Sequence, residues 1–374
     1  MITPPVLPGN IAVPRDLDPA DLTIADLARS ETIPSAWYTV PAFHAFDRRT
    51  VLARSWQYVG AAADVAEPGS YVTDFVAGNP VVVARDRHGE LSAFYNVCKH
   101  RGGPLATDRC GRAQMLQCQY HGWTYRMDGQ LRGVPRFDRT ELFDQRDYGL
   151  TRIAVDTWSG LLFVCLDPEG VPPLAEVMEG IPERIAPQRL EDLSFHQRDT
   201  YAVQCNWKVY VDNYLEGYHI PLVHPELCDL LDYRSYVTET ASQYSLQFSP
   251  IKAESAAYGP ADGQAYYYFV FPNLMLNILP GRLQVNRVDA RASNACSVVF
   301  DYFYSAGPLE ERLTRMAEDR AFSDRVQAED IDICEHVQRG LESDAYDRGR
   351  FSVDLEAGVH HFQQLLKNAY GRAC

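Results

Sequence analysis

The chain has 374 residues, 46% of them hydrophobic and 23% charged, which is more than one core can use and too apolar for a disordered or fibrous polymer. A formal charge of -15 argues against the basic face that a nucleic-acid backbone demands. With no basic-then-apolar leader and nothing near eighteen consecutive apolar residues, a cytoplasmic protein without a membrane span is expected. The nine cysteines are odd in number and scattered, so reduced thiols or metal ligands fit them better than a disulfide framework.

In chain order, residues 1–46 form a Pro- and Asp-rich lead-in, expected to pack on a catalytic domain. From residue 47 to 168 short β-type runs such as SYVTDFVA, PVVVARD and GLLFVCLD alternate with Gly, Pro and Asp turns, the pattern of a small all-β module. A Pro-rich stretch, VPPLAEVMEGIPERIAP, opens a second domain over 169–374. There the pattern predicts a helix over 205–219, strands near 243–254 and 265–271, two more through RLQVNRVDA and ACSVVFDYFYS, and helices over about 309–342 and 357–370. The fold class is therefore α+β, with an antiparallel sheet flanked by helices beside the all-β domain.

Two short bursts in the first domain carry metal-type residues: Cys98-x-His100 and, after a spacer of seventeen residues, Cys118-x2-His121. Structural zinc sites usually pair like with like. Here each knuckle mixes one thiol with one imidazole, which suits a cluster with two thiolates on one iron and two imidazoles on the other. With the Arg101-Gly102 and Gly122-Trp123 that follow, the segment resembles the Rieske [2Fe-2S] proteins. Cys110, between the knuckles, lacks a partner His and reads as a plain thiol.

The second constellation lies in NWKVYVDNYLEGYHIPLVH, residues 206 to 224. On one continuous helix Asp212, Glu216 and His219 would form a single stripe among apolar residues, and buried charges need partners or a metal. His219 and His224 are too far around an ideal helix to share an ion, so Pro221 is expected to end the helix between them. Two His and one distant carboxylate would make a facial triad with open positions on Fe(II). In RVQAEDIDICEHVQRGL the inward stripe selects Asp330, while Glu329 and Asp332 point to other faces.

Asn213, Glu216, Tyr218, His219 and His224 resemble the catalytic segment of the Rieske non-haem iron oxygenases, the family that includes ring-hydroxylating dioxygenases and the choline, betaine and carnitine monooxygenases. The resemblance implies a helix-grip catalytic domain, Glu216 as the acid bridging to a neighbour's Rieske histidine, and His219, His224 and Asp330 as iron ligands; Asn213 of the motif and Asp212 of the stripe are the further candidate catalytic residues. It also implies a [2Fe-2S] cluster, a mononuclear Fe(II), O2 as co-substrate and a homotrimer. The sequence offers no GxGxxG after a strand, so electrons from NAD(P)H are expected through a separate reductase. In AYYYFVFPN aromatics fall at alternate positions, Tyr266 and Tyr268 with Val270 on one face and Tyr267, Phe269 and Phe271 on the other, and could line a pocket; Tyr266, Tyr268, Phe271 and Asn273 are the candidate substrate contacts. Hydroxylation of an aromatic small molecule is the expected reaction, with oxidation of a quaternary ammonium compound as the alternative and a bare electron carrier as the alternative of another class.

Overall fold

In the computed structural model, residues 12–252 and 263–374 are described. The first part of the lead-in and the end of the strand expected over 243–254 lie outside them. The chain divides into two units, Leu52–Leu174 and the described residues up to Val51 together with Ala175–Cys374. Both boundaries fall a few residues later than the sequence pattern places them. Phe43, Phe46 and Val51 belong to the core of the second unit, and the Trp56 indole donates to the Pro172 carbonyl at 2.9 Å, tying that proline to the first.

The first unit is all-β apart from short 3-10 turns. Its strands are β1 (Gln57–Ala61), β2 (Ser70–Val76), β3 (Asn79–Arg85), β4 (Leu91–Tyr95), β5 (Cys110–Arg112), β6 (Leu116–Gln117), β7 (Thr124–Tyr125), β8 (Leu131–Gly133), β9 (Arg152–Trp158) and β10 (Leu161–Cys165). Seven form a sheet in the order β1-β10-β9-β4-β3-β2-β5, and β6-β7-β8 form a small separate one. A core of Phe94, Leu116, Trp123, Tyr125 and Leu131 packs around Cys98 and Cys118.

The second unit is built on a seven-stranded antiparallel sheet among the described residues. Its strands are β11 (Ser194–Val203), β12 (Val237–Thr240), β13 (Tyr244–Pro250), β14 (Gln264–Val270), β15 (Leu274–Leu279), β16 (Arg282–Ala292) and β17 (Ala295–Tyr304), in the order β11-β17-β16-β15-β14-β13-β12. Register fixes which side chains share a face. Gln247, Tyr267, Asn277, Gln284 and Tyr302 are direct cross-strand neighbours in one row, and Phe269, Met275, Asn286 and Phe300 form the next. The second row leads into an aromatic core with Trp37, Trp207, Phe362 and Tyr370. The helices Leu309–Leu341 and Ala357–Gly371 cover this unit.

The lead-in is held by backbone and buried charge. Ile33 N–H donates to the Gln363 side chain at 2.8 Å and the Asn206 amide to the Tyr38 carbonyl at 2.8 Å. Asp47, wholly buried, accepts from the Trp207 indole at 2.9 Å, from the Tyr370 hydroxyl and from Lys208. A buried pair of this kind is tolerable because each remaining lone pair finds a donor.

Candidate active site

In the first unit two loops repeat one backbone design. Cys98 N–H donates to Gly103 O at 2.8 Å and Gly102 N–H to Cys98 O at 2.9 Å; Cys118 N–H donates to Trp123 O at 2.8 Å and Gly122 N–H to Cys118 O at 3.0 Å. Each loop turns through a left-handed residue, φ +73° at Gly102 and +75° at Gly122, where any side chain is strained. That is why a glycine closely follows each histidine. A Cβ on Gly103 would lie 2.9 Å from the Cys118 sulfur, so the loops also approach too closely for a larger residue.

The four side chains converge at the loop tips. Both cysteines are buried, and burial pushes the Cys98 thiol up. The imidazoles of His100 and His121 have centroids 4.6 Å apart, and His100 stacks on Trp123 at 5.0 Å. The Arg101 guanidinium lies 2.9 Å from His121 Nε2, leaving Nδ1 as its available ligand atom. His100 Nδ1 is buried with no hydrogen-bond partner. An orphaned ring nitrogen beside two buried thiols fits a group that accepts all four as ligands. The Tyr125 hydroxyl sits 3.4 Å from Cys98 Sγ and accepts from Lys99 N–H at 3.0 Å.

The second unit assembles its site from distant pieces. The expected helix over 205–219 is shorter. It runs Trp207–Tyr214, capped by the Asn206 side chain accepting from Lys208 N–H at 3.0 Å. Glu216 and Gly217 lie in the break. A Cβ on Gly217 would meet the Tyr236 ring at 2.8 Å, so this position admits only glycine without movement. Pro221 does not end a helix but sits in the first turn of a new one, Ile220–Val223, where its missing N–H costs nothing. His219 and His224 therefore bracket one turn, their rings 5.0 Å apart.

Asp330 reaches them from the Leu309–Leu341 helix. Its Oδ1 is 3.0 Å from His224 Nε2 and 3.9 Å from His219 Nε2, and one ligand atom from each of the three residues lies within 4.8 Å of the others. Each ligand is held from outside. Glu216 lies 2.7 Å from His219 Nδ1 and also accepts the backbone N–H of Tyr218 and His219. Asn213 donates to Asp330 at 2.6 Å. Glu329, which the sequence stripe turned away, lies 2.7 Å from His224 Nδ1; neighbouring helical positions can flank a single side chain reaching in from another element. Burial works against the His224 imidazolium, but the Asp330 and Glu329 carboxylates outweigh it and raise its pKa. Two imidazoles and a carboxylate with Nδ1 atoms held by acids fit a divalent iron site with open positions.

A cavity of about 110 Å³ opens from this triad. Its walls include the aromatics Tyr210, Tyr214, Tyr236, Tyr267, Phe300 and Phe322, with the amides of Gln247, Asn277 and Gln284 between them. The Tyr214 hydroxyl donates to Asn277 at 2.6 Å and Gln247 donates to the Tyr214 carbonyl at 2.7 Å. Arg282 also lines it, its charge met by Asp319 at 2.6 Å.

The expected substrate contacts lie elsewhere. Tyr266 and Tyr268 occupy the opposite face of β14 from Tyr267, Phe271 packs beside Phe362 in the core, and Asn273 donates to the Val288 carbonyl to fasten β15 to β16. The strand is aromatic on both faces, so alternation defines two faces without saying which looks inward. The alternate polar positions of RLQVNRV, which are Arg282, Gln284 and Asn286, were the signal for the inward face.

Asp212 also departs from expectation. It does not line the aromatic cavity but a second one of about 320 Å³, shared with Asn213, Glu216 and His219. There it accepts from Tyr38 at 2.5 Å and from Gln363 at 3.4 Å. Burial pushes its carboxyl up to about 7 despite those donors.

Comparison with known proteins adds to this geometry. Residues 55–148 match the family model of the Rieske [2Fe-2S] domain and residues 190–372 that of the ring hydroxylating alpha subunit, catalytic domain. The chain is 36% identical over 358 residues to the choline monooxygenase of Arabidopsis thaliana, covering 91% of this chain and 83% of that one. It is 29% identical to the carnitine monooxygenase oxygenase subunit of Escherichia coli, covering 91% and 94%. Among solved structures, a quaternary ammonium Rieske monooxygenase described for carnitine oxidation and inter-subunit electron transfer superposes with a TM-score of 0.84, at 26% identity and 96% and 99% coverage. Naphthalene 1,2-dioxygenase, at 18% identity and a TM-score of 0.74 over 93% and 96% of the two chains, shares the fold.

Proposed function

Because the chain belongs to the Rieske oxygenases, as an alpha subunit with a Rieske domain and a ring-hydroxylating-type catalytic domain, we propose that it oxidises a quaternary ammonium compound at the triad of His219, His224 and Asp330. The enzyme is an oxidoreductase that uses O2, a Rieske cluster, a mononuclear iron and electrons from a separate reductase to act on a small molecule. Among the expected reactions, the relatives favour the quaternary ammonium alternative over aromatic ring hydroxylation.

The observation that carries the substrate reading is the cavity itself. Six aromatic rings surround a small space that ends at the triad and at the Glu216 carboxylate, and aromatic faces attract an ammonium that cannot donate a hydrogen bond. Among the described residues the one arginine on the wall, Arg282, is already met by Asp319, so these residues do not repel a cation.

Cys98, Cys118, His100 and His121 would hold the cluster, and the triad the iron. When bound, the cluster passes single electrons and the iron activates dioxygen. The chain's own groups do the positioning. Glu216 and Glu329 fix the two imidazoles through their Nδ1 atoms, and Asn213 holds Asp330. Gln247, Tyr214 and Asn277 form a hydrogen-bonded wall that orients a polar end of the substrate. Glu216, which lines both cavities, would in a homotrimer be the acid that bridges the triad to a neighbouring subunit's Rieske histidine.

The test is O2 uptake by the purified enzyme with a competent reductase, supplied with choline, carnitine, glycine betaine or benzoate. Uptake coupled to an oxidised quaternary amine is expected. Coupled uptake with benzoate and with none of the amines would remove the proposal.

A further inference from the structure

Residues 52–174 hold thirteen Lys and Arg against fourteen Asp and Glu, so nearly all of the chain's -15 lies outside the Rieske unit. Within that unit the basic residues are gathered. Two adjoining grooves, of about 930 and 770 Å³, share Arg126, Asp128 and Arg132. Together they are lined by six arginines, Arg87, Arg112, Arg126, Arg132, Arg146 and Arg152, and three aspartates. Arg112 and Arg146 have acidic neighbours in Glu67 and Asp144. The others meet uncharged groups or solvent: Arg126 the Gln130 amide, Arg152 the Asp128 carbonyl, Arg87 the His88 ring, while Arg132 is exposed. Asp86 and Asp128 accept from backbone amides of their own turns and keep their charge, so the six arginines outnumber the three lining aspartates and the two paired acids by one.

The place of this groove follows from strand alternation. Tyr125 and Leu131 point inward, into the core that holds Cys98 and Cys118; Arg126 and Arg132, the next residues, point out. The Tyr125 hydroxyl touches Cys98 Sγ. Arg126 thus sits one residue from a side chain in contact with a proposed cluster ligand.

We propose that this arginine-lined groove on the outer face of the β6–β8 sheet is the docking surface for an acidic face of the reductase. The proposal rests on the Rieske assignment. A basic patch on an otherwise strongly acidic chain both attracts an acidic partner and orients it, since the rest of the surface repels it. In the docked pair one electron leaves the partner's reduced iron–sulfur or flavin centre and enters the oxidised cluster. No bond forms or breaks, and two such encounters supply two electrons per O2.

The test measures cluster reduction by stopped-flow bleaching of the holoenzyme, using a reduced acidic [2Fe-2S] ferredoxin as protein donor and photoreduced deazariboflavin as uncharged donor. The double variant R126E/R132E is expected to lower the ferredoxin rate about tenfold or more at low salt and to leave the deazariboflavin rate unchanged. Salt should slow the wild type and not the variant, and R126K/R132K should keep the wild-type rate. Equal ferredoxin rates in wild type and R126E/R132E overturn the proposal, as does a salt-independent wild-type rate or a loss that the Lys variant shares. Weakened NADH binding by R126E/R132E with its ferredoxin rate intact overturns it too, giving the groove to a nucleotide. The Rieske EPR signal after dithionite reads the underlying assignment separately: its absence fails that assignment, whereas a normal signal with unchanged ferredoxin rates fails the docking alone.

Discussion

The two metal-type sites are built on opposite plans. In the Rieske unit both loops carry their own scaffold: each pairs a cysteine amide with the carbonyl five residues on, and a glycine amide four residues on with the cysteine carbonyl. In the triad only His219 has a local partner, Glu216 three residues before it. Asp330 lies more than a hundred residues after His219 and His224, on another helix, and it and His224 each lean on a partner from a distant segment, Asn213 and Glu329. A site made of turns depends on a few local residues. A site made of converging elements depends on the packing that brings them together.

The widest separation of the two plans comes from removing one ligand in each. Asp330→Ala should abolish activity and lower iron from roughly three to roughly two per chain, with the Rieske spectrum intact. Cys118→Ser should do the reverse, losing the cluster's absorption while mononuclear iron remains. Iron analysis with visible and EPR spectra reads both; a variant that loses both centres would mean that the sites are not independent. A smaller effect is expected one shell out. Glu329→Ala leaves all three ligands but frees the His224 ring, and should weaken mononuclear iron binding about 10- to 100-fold, measured by competition with a chelator. Unchanged iron affinity would mean that the long helix alone suffices to position the site.

The same contrast explains what could be read from the amino-acid order. Local turns leave local marks, so Cys98, His100, Cys118 and His121, with Gly102 and Gly122, were legible as a unit. His219, His224 and Asp330 were legible as chemistry, because inward acids and histidines on apolar stripes are costly without a role. Their geometry was not. A continuous helix and a break at Gly217 give similar apolar patterns, and only the approach of the Tyr236 ring shows why glycine stands there. Glu329 was missed because a helical stripe describes one helix against one core, whereas His224 enters from outside that frame. The inward face of β14 stayed open because Tyr266, Tyr267 and Tyr268 are the same residue type on both faces, and of the named contacts the cavity takes none while Tyr267 lines it.

The cavity wall offers a gentler probe of the convergent plan. Tyr214→Phe removes the donor to Asn277 while keeping the ring, leaving a half-buried amide oxygen without its hydroxyl. The expected cost is about 1–3 kcal/mol, read as a rise in KM for a quaternary amine with iron content unchanged. Equal KM values would mean that this row of the sheet does not touch the substrate.

The smallest effect concerns Asp212, which adjoins the triad through the second cavity without reaching the ligands. Its carboxyl is held at about 7 against an ordinary 3.8. Between those values the folded chain binds a proton that the unfolded chain has released, so stability falls as pH rises and levels off above about 7. Asp212→Asn cannot titrate, and its oxygen still accepts from Tyr38. Urea midpoints at a series of pH values from below 4 to above 8 should therefore decline less steeply for the variant than for the wild type, while mononuclear iron content stays the same. If the two slopes coincide, Asp212 is ionised throughout and burial has not displaced its pKa. If iron is lost, the second cavity helps hold the triad, and the convergent site extends further from its ligands than Glu216, Asn213 and Glu329.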